Sequence, residues 1–404
     1  MDIARNSAYA LRSTAALRSE RDCWTRPWLS SVIVSVPKNG DAPRGPSAER
    51  LESYTRTQGE RRYSSSAMHA EIAPQWQTWI VENLMLDVAP GTLVDRLVSE
   101  GGVDEASARD AVTAAAAQPA VRVGRSIASR LKKTETLLSI MQELAQSVPR
   151  DKVDERRDID AGAFFADYYS RNRPLLLRGT VRHWPALHKW SPRHFAERYG
   201  SAPISITANR ESDPRYEINR RTHMTQTTMA DFVAMLESGG HTNDYYLVAN
   251  NPVLQTAPLA PLLDDIGGIG GLLEPRMRRD HTFLWFGPAG TVTPLHHDKA
   301  NLCMAQVLGR KRVTLYPTAA IRHMHNIIGV YTEADPENLE RSPIDLRGVP
   351  RFEVTLFPGD VLFVPFAWWH HVRALDVSIT VSMDNFIFRN DFDLMDPYDY
   401  TAAP

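Results

Sequence analysis

The chain is poor in cysteine. Its 404 residues include only Cys23 and Cys303, in unlike contexts. That excludes a disulfide framework and a zinc site built on thiolates, and it fits a reducing cytoplasm. The sequence also lacks a charge excess. Lys plus Arg number 46 against 48 Asp plus Glu, so no basic field argues for nucleic acid as a partner. No apolar run reaches the ~18 residues that suggest a transmembrane helix. The N-terminus has no clean apolar stretch after a basic start, as a signal peptide would. There is no internal repeat. What remains is a 43% hydrophobic chain that can bury a large core, long enough for one large domain plus additional material.

The texture of the chain changes twice. Residues 1–67 are rich in Arg and Ser, as in the stretch from Arg56 to Ser66, and lack periodicity. They are expected to be a disordered leader. Residues 68–150 read as a helical N-terminal segment. Trp76, Trp79, Ile80 and Leu84 recur at i, i+3, i+4 and i+8. A second helix is expected from Pro90 to Glu100, ending at Gly101-Gly102. Asp104 is placed to cap a third, and a longer one is expected from Ser126 to Gln146, with Leu131, Leu138, Met141 and Ala145 near one face. A small bundle packed on the main domain or on a second copy is the plain reading. A homodimer through this segment follows from it, and a substrate-docking module is the sharper reading.

Residues 151–392 alternate short apolar runs with turn signals, followed by a tail at 393–404. The runs are Pro174 to Leu177, Ile204 to Thr207, Tyr245 to Val248, Thr282 to Phe286, Val313 to Tyr316, Val354 to Phe357, Val361 to Val364 and Val377 to Val381. They predict a mainly β sandwich or barrel. Two helices decorate it. One starts at Ser191-Pro192 and ends at Gly200; the other spans Met229 to Glu237.

The chemistry concentrates in two stretches. Residues i and i+2 of a strand face the same way, so His296 and Asp298, in Thr-Pro-Leu-His-His-Asp, aim an imidazole and a carboxylate at one point. A second imidazole from another strand would complete two histidines and a carboxylate, the facial set of non-haem Fe(II) oxygenases. The second stretch runs from Pro358-Gly359-Asp360, a turn, through an apolar strand to Trp368-Trp369-His370-His371. On spacing alone either histidine serves. The pair His323 and His325 is another metal candidate, in a polar loop.

Together these segments resemble the JmjC-type oxygenases of the cupin-like group, which includes the asparaginyl hydroxylase of hypoxia-inducible factor. The resemblance rests on Leu284 through Asp298, Asn301 to Gln306, Gly309-Arg310-Lys311-Arg312, Leu315-Tyr316-Pro317 and the Trp-Trp-His-His segment. Arg173 to Gly179 and Trp184 to Ser191 extend it over roughly residues 155–390. It implies a double-stranded β-helix, or jelly roll, with flanking helices, and Fe(II) held by His296, Asp298 and His370. His297 and His371 are left as structural or supporting residues. It implies 2-oxoglutarate as cosubstrate with O2, bound by Lys311, Thr293 and Tyr246, with Asn301 near the metal end. Where the family often has Asn after its last strand this chain has Ser382, with Asn385 three residues on. The tryptophans 285, 368 and 369 are expected to line the pocket or pack the core. The implied activity is hydroxylation of an amino-acid side chain in a protein, peptide or amino-acid-derived substrate. Histone demethylation is disfavoured, since no chromatin-reader module is seen. The alternatives are a non-catalytic cupin serving as a binding module, and a cupin enzyme with other metal chemistry.

Overall fold

A computed structural model of the chain describes residues 72–145, 152–249, 253–326, 329–392 and 394. The expected leader at 1–67 lies outside them, as does nearly all of the tail. The chain divides into two compact units, residues 1–136 and 137–404. No helix among the described residues is long and apolar enough to cross a membrane.

The first unit is helical: α1 (Pro74–Met85), α2 (Pro90–Ser99), α3 (Glu105–Ala117) and the start of α4 (Pro119–Ala145). The periodic face of α1 is buried as the pattern requires, with Trp76 packed edge-on against Trp79 at 5.2 Å. Leu93, Leu97, Ala108, Val112 and Val121 complete this core. Asp104 caps α3 through Ser107 N. The fourth helix begins seven residues earlier than expected. Gln118, restrained by the proline after it, is extended, and Pro119 opens the helix where its missing N–H costs nothing.

The second unit is a jelly roll. One sheet runs β1 (Asp154–Arg156), β2 (Leu175–Leu177), β10 (Val361–Val364), β7 (Leu302–Leu308), β12 (Ser378–Met383) and β5 (Thr282–Gly287). The facing sheet runs β6 (Val292–His296), β11 (Trp369–Ala374), β8 (Lys311–Tyr316) and β9 (Phe352–Leu356). All pairs are antiparallel except β1 with β2. A ribbon of β3 (Pro203–Thr207) and β4 (Met224–Thr228) stands apart. The run at Tyr245 to Val248 is no strand. It makes single bridges, Tyr246 to Thr207 and Leu247 to Phe286, and so ties the ribbon to β5. The helices α5 (Pro192–Tyr199) and α6 (Met229–Gly239) are capped by Ser191 and Thr228. Phe195 of α5 and Phe232 of α6 meet Phe286 of β5 at 5.2 and 5.3 Å. That covers the outer face of the large sheet.

Between the sheets the filling is uneven. Leu176, Val313, Leu315, Leu356, Leu362 and Trp368 make an apolar plug. The remaining inner positions carry polar side chains, and the site is built from them.

The turn before β10 is held by one carboxylate. Asp360 accepts from Arg178 Nη1 at 2.7 Å, Gly179 N at 2.9 Å and Phe357 N at 3.1 Å. Gly359 beside it has φ +96°, and a Cβ there would meet Arg182 Cγ at 2.7 Å, so the turn needs glycine. Asp360→Ala strips an acceptor from three donors. It is expected to lower unfolding free energy by about 3 kcal/mol, against a smaller loss for Asp360→Asn, read by urea denaturation. Equal stability of the two variants would show that the carboxylate does not organise the turn.

Candidate metal and cosubstrate site

The register of β6 against β11 decides which side chains converge. His296 lies opposite His370 and Thr293 opposite Val372, with a bulge between. Three residues separate Thr293 from His296, an odd number, so plain alternation would send them to opposite faces. The bulge at Pro294-Leu295 absorbs the extra residue. Both side chains then face inward, while Leu295 packs outward against Tyr316 and Trp369.

Ligand atoms of His296, Asp298 and His370 all lie within 4.8 Å of one another. The two imidazole centroids are 4.1 Å apart, and His370 Nε2 is 3.4 Å from Asp298 Oδ2. Each ring is oriented from behind: His296 Nδ1 bonds to Pro294 O at 2.8 Å and His370 Nδ1 to Trp368 O at 3.0 Å. With Nδ1 as donor, Nε2 presents its lone pair to the cluster, the usual preparation of a ligating histidine. Burial and the neighbouring His370 push His296 down to about 3, so it is neutral at physiological pH. Burial raises the Asp298 carboxyl. The hydrogen bond from His370 and the surrounding imidazoles outweigh this and bring it to about 2. Two imidazoles with Nε2 turned to one point and one carboxylate in a tight group form a donor set that fits Fe(II).

The cluster takes the first histidine of each doublet. His297 packs edge-on against Trp369 at 4.7 Å. His371 faces the other side of β11 and lines a cavity of about 520 Å³ with Tyr331, Glu337 and Arg373. His323 is engaged with Arg322 and belongs to no such group among the described residues.

Lys311 is inward on β8 and 2% exposed. Its Nζ donates to Tyr246 Oη at 2.9 Å, and Tyr246 interacts in turn with Thr293. Burial lowers Lys311 to about 7 and pushes the Tyr246 phenol up. Trp285 is half-buried and lies 5.8 Å from Tyr246. Its Nε1 donates to Ser382 Oγ at 2.8 Å, so Ser382 shares the face that carries Trp285. The Asn385 amide is tied instead to Glu274 O at 2.8 Å. Asn301 is also engaged. Its Oδ1 accepts from Phe366 N at 2.8 Å and its Nδ2 donates to Asn390 at 2.9 Å. That holds the turn leading into β11, where Ala367 adopts φ +58° and donates to Asp298 O. Of the tryptophans, 285 borders the polar pocket, and 368 and 369 pack in cores.

The sequence reading overlooked Arg210. It is fully buried. Its Nη2 donates to Val292 O at 2.7 Å and Glu217 Oε1 at 2.9 Å. Its guanidinium carbon lies 4.3 Å from the Tyr216 ring and 5.2 Å from that of Tyr246. Val292 is the residue before Thr293, so Arg210 fixes the strand at the edge of the bulge. Glu217 interacts with Tyr331, whose ring stacks on His296 at 5.3 Å. Nothing in the local sequence around Asn209-Arg210-Glu211 marks this role.

A jelly roll with a facial His-Asp-His group at one end and a buried lysine along the same inner face defines a class, the metal-binding cupins. The family model described as cupin-like domain matches residues 161–393, and the chain belongs to that family, in its JmjC branch. It is 32% identical over 233 residues to lysine-specific demethylase 8 of Xenopus tropicalis, covering 54% of this chain and 49% of that protein. It is 27% identical over 248 residues to lysine-specific demethylase JMJ30 of Arabidopsis thaliana, covering 59% and 55%. It is 24% identical over 268 residues to the human bifunctional peptidase and (3S)-lysyl hydroxylase JMJD7, covering 58% and 83%. The chain spans about half the length of the first two. JmjC proteins use Fe(II), 2-oxoglutarate and O2, and the donor set here fits that metal.

A dicarboxylate bound at Lys311 restores the ammonium, because the charge-assisted bond favours the protonated form. With the free lysine near 7, binding of 2-oxoglutarate at pH 7 should take up about half a proton. Affinity should weaken towards tenfold per pH unit above 7. Calorimetry in buffers of unlike ionisation enthalpy reads both. Zero uptake and constant affinity between pH 6.5 and 8.5 would remove Lys311 as the carboxylate partner.

Proposed function

We propose that this protein is an Fe(II)- and 2-oxoglutarate-dependent oxygenase that hydroxylates a C–H bond of an amino-acid side chain, in a protein, peptide or amino-acid-derived substrate. His296, Asp298 and His370 are its iron ligands; Lys311, Tyr246 and Thr293 hold the far carboxylate of the cosubstrate, with Ser382 beside it. The observation that carries this is the buried Lys311 on the inner face that bears the His-Asp-His group. On β8, Lys311 is four residues from Leu315, the partner of His370, or about 13 Å of strand. A lysine side chain and a five-carbon dicarboxylate together fill that span.

When bound, the metal and cosubstrate supply the oxidising power, splitting 2-oxoglutarate to succinate and CO2 and placing one oxygen atom of O2 in the substrate bond. The protein's part is orientation. The Pro294 and Trp368 carbonyls hold two imidazoles with Nε2 turned to the metal position. Asp298 adds the one negative charge. The remaining face is left for cosubstrate and gas. Lys311 and the two hydroxyls fix the far carboxylate in a site closed to water, where a charged hydrogen bond is strongest.

Demethylation of an N-methyl group begins with hydroxylation of its carbon, so relatives named demethylase and hydroxylase are compatible with one site. Hydroxylation is preferred here because residues 74–145 carry four helices and no reader module is in view among the described residues. A cytoplasmic location fits the two cysteines, one of them the buried Cys303. A non-catalytic cupin has no use for a buried ammonium that costs stability, and a cupin with other metal chemistry has no use for Lys311.

Anaerobic Fe(II) plus 2-oxoglutarate should give a weak visible charge-transfer band that needs both components. It should vanish in His370→Ala, and O2 with substrate should release succinate. Lys311→Ala should raise the 2-oxoglutarate requirement at least tenfold while iron binding persists. No band from folded wild-type protein would overturn the assignment. Turnover indifferent to 2-oxoglutarate and to Lys311→Ala would move it to other metal chemistry.

A further inference from the structure

The fourth helix, α4, carries a stripe of exposed apolar side chains along most of its length. Its core contact is Val121 in the first turns. Val123, Ile127, Leu131, Leu137, Leu138, Ile140, Met141 and Leu144 are 45–68% exposed. At 100° per residue, Val123, Ile127, Leu131, Leu138 and Met141 fall within one 80° sector, with Leu137 and Leu144 flanking it. Val121 lies on the opposite side. The seven side chains of this stripe expose several hundred Å² of apolar surface, a patch at or beyond the roughly 300–600 Å² that is the largest on a typical monomer. Doubled by self-pairing, it approaches the roughly 1,600 Å² of a standard stable interface.

The charges along the helix indicate what covers the stripe. Positions 119–133 hold Arg122, Arg125, Arg130, Lys132 and Lys133 and no acid; positions 134–145 hold Glu135 and Glu143 and no base. A parallel pair would set five cations against five. An antiparallel pair sets the basic half of each helix against the acidic half of the other.

We infer that α4 pairs antiparallel with α4 of a second copy of this chain, making a two-fold symmetric dimer. The two-fold axis passes near Thr134, an exposed residue in the middle of the stripe. In that register Ile127 faces Met141 of the partner copy and Leu131 faces Leu137, so the apolar residues of one helix meet those of the other. The interface is isologous and closes at two. It stands independently of the oxygenase reading.

The test is the oligomeric state of the full chain by sedimentation, followed by orientation. Wild type should sediment as a dimer at 10 µM. Leu131→Glu with Met141→Glu should make it monomeric, with association at least a hundredfold weaker and the far-ultraviolet circular dichroism of the wild type retained. In a Cys23→Ser background, Thr134→Cys should cross-link to its own copy under mild oxidation and Ile127→Cys should not. A monomer at 100 µM would overturn the proposal and leave the stripe to residues 1–71 of the same chain or to another protein. Cross-linking through Ile127→Cys in preference to Thr134→Cys would overturn the antiparallel arrangement. A dimer untouched by the double glutamate change would place the interface elsewhere.

Discussion

The site depends on one irregularity, the extra residue in β6 opposite β11. Antiparallel pairing sets His296 against His370, which brings two imidazoles to 4.1 Å. That pairing alone would leave Thr293 on the outer face. The bulge turns it inward beside Tyr246. A one-residue slip in a sheet reverses every side chain, so the bulge has to be held. The Val292 amide takes Asn243 Oδ1, and the Val292 carbonyl accepts from both Arg210 and Tyr216. His296 and Thr293 face the same inner space because this peptide unit is pinned on both sides.

The electrostatics follow from what is pinned. Arg210 brings a positive charge into a space without water. Glu217 offsets it, and Tyr216 and Tyr246 offer aromatic faces; Nε and Nη1 remain without acceptors. Among the described residues Lys311 has no carboxylate beside it, and its ammonium donates to the Tyr246 hydroxyl. Its burial depresses its own basicity, the expected result when desolvation meets no compensating charge. A buried pair is weak evidence for stability and stronger evidence for specified geometry. An unpaired buried lysine is a cost, and a ligand carboxylate removes it. The two cations flank Tyr246, one above its ring and one at its hydroxyl, so that the tyrosine is oriented from both ends.

Much of this was legible in the chain, though unevenly. His296 and Asp298 could be read from alternation, Ser191 and Asp104 from capping chemistry, and α1 from its apolar period. The choice of His370 over His371 could not. It depends on which residue of β11 faces inward, and that is set by pairing with β6 and β8. Thr293 came from resemblance, because a bulge leaves no mark in composition; Lys311 came from resemblance and from strand alternation, against the reading of Arg310-Lys311-Arg312 as a solvated charge run. Lys311 turns inward because Val313 and Leu315 do. Asn301 was placed near the metal end by the resemblance, and its structural contacts were not legible. Its side chain is engaged in holding Phe366 and Asn390, contacts made across long separations that a single sequence does not reveal. Arg210 had no local signal for the same reason.

The uneven filling of the jelly roll explains why the fold tolerates so polar an interior. Val313, Leu315, Leu356 and Leu362 close one part of the space between the sheets with apolar packing that involves none of the polar side chains of the site. On β8, Val313 and Leu315 share an inner face with Lys311, so one strand supplies both plug and pocket. The turn at Pro365 to Ala367 performs the converse service. Ala367 accepts a left-handed backbone at a cost of about 1 kcal/mol, and its amide then reaches the Asp298 carbonyl. Strain held by the packed strands on either side of that turn is thereby converted into the placement of Asp298, the one member of the His-Asp-His group that lies outside any strand.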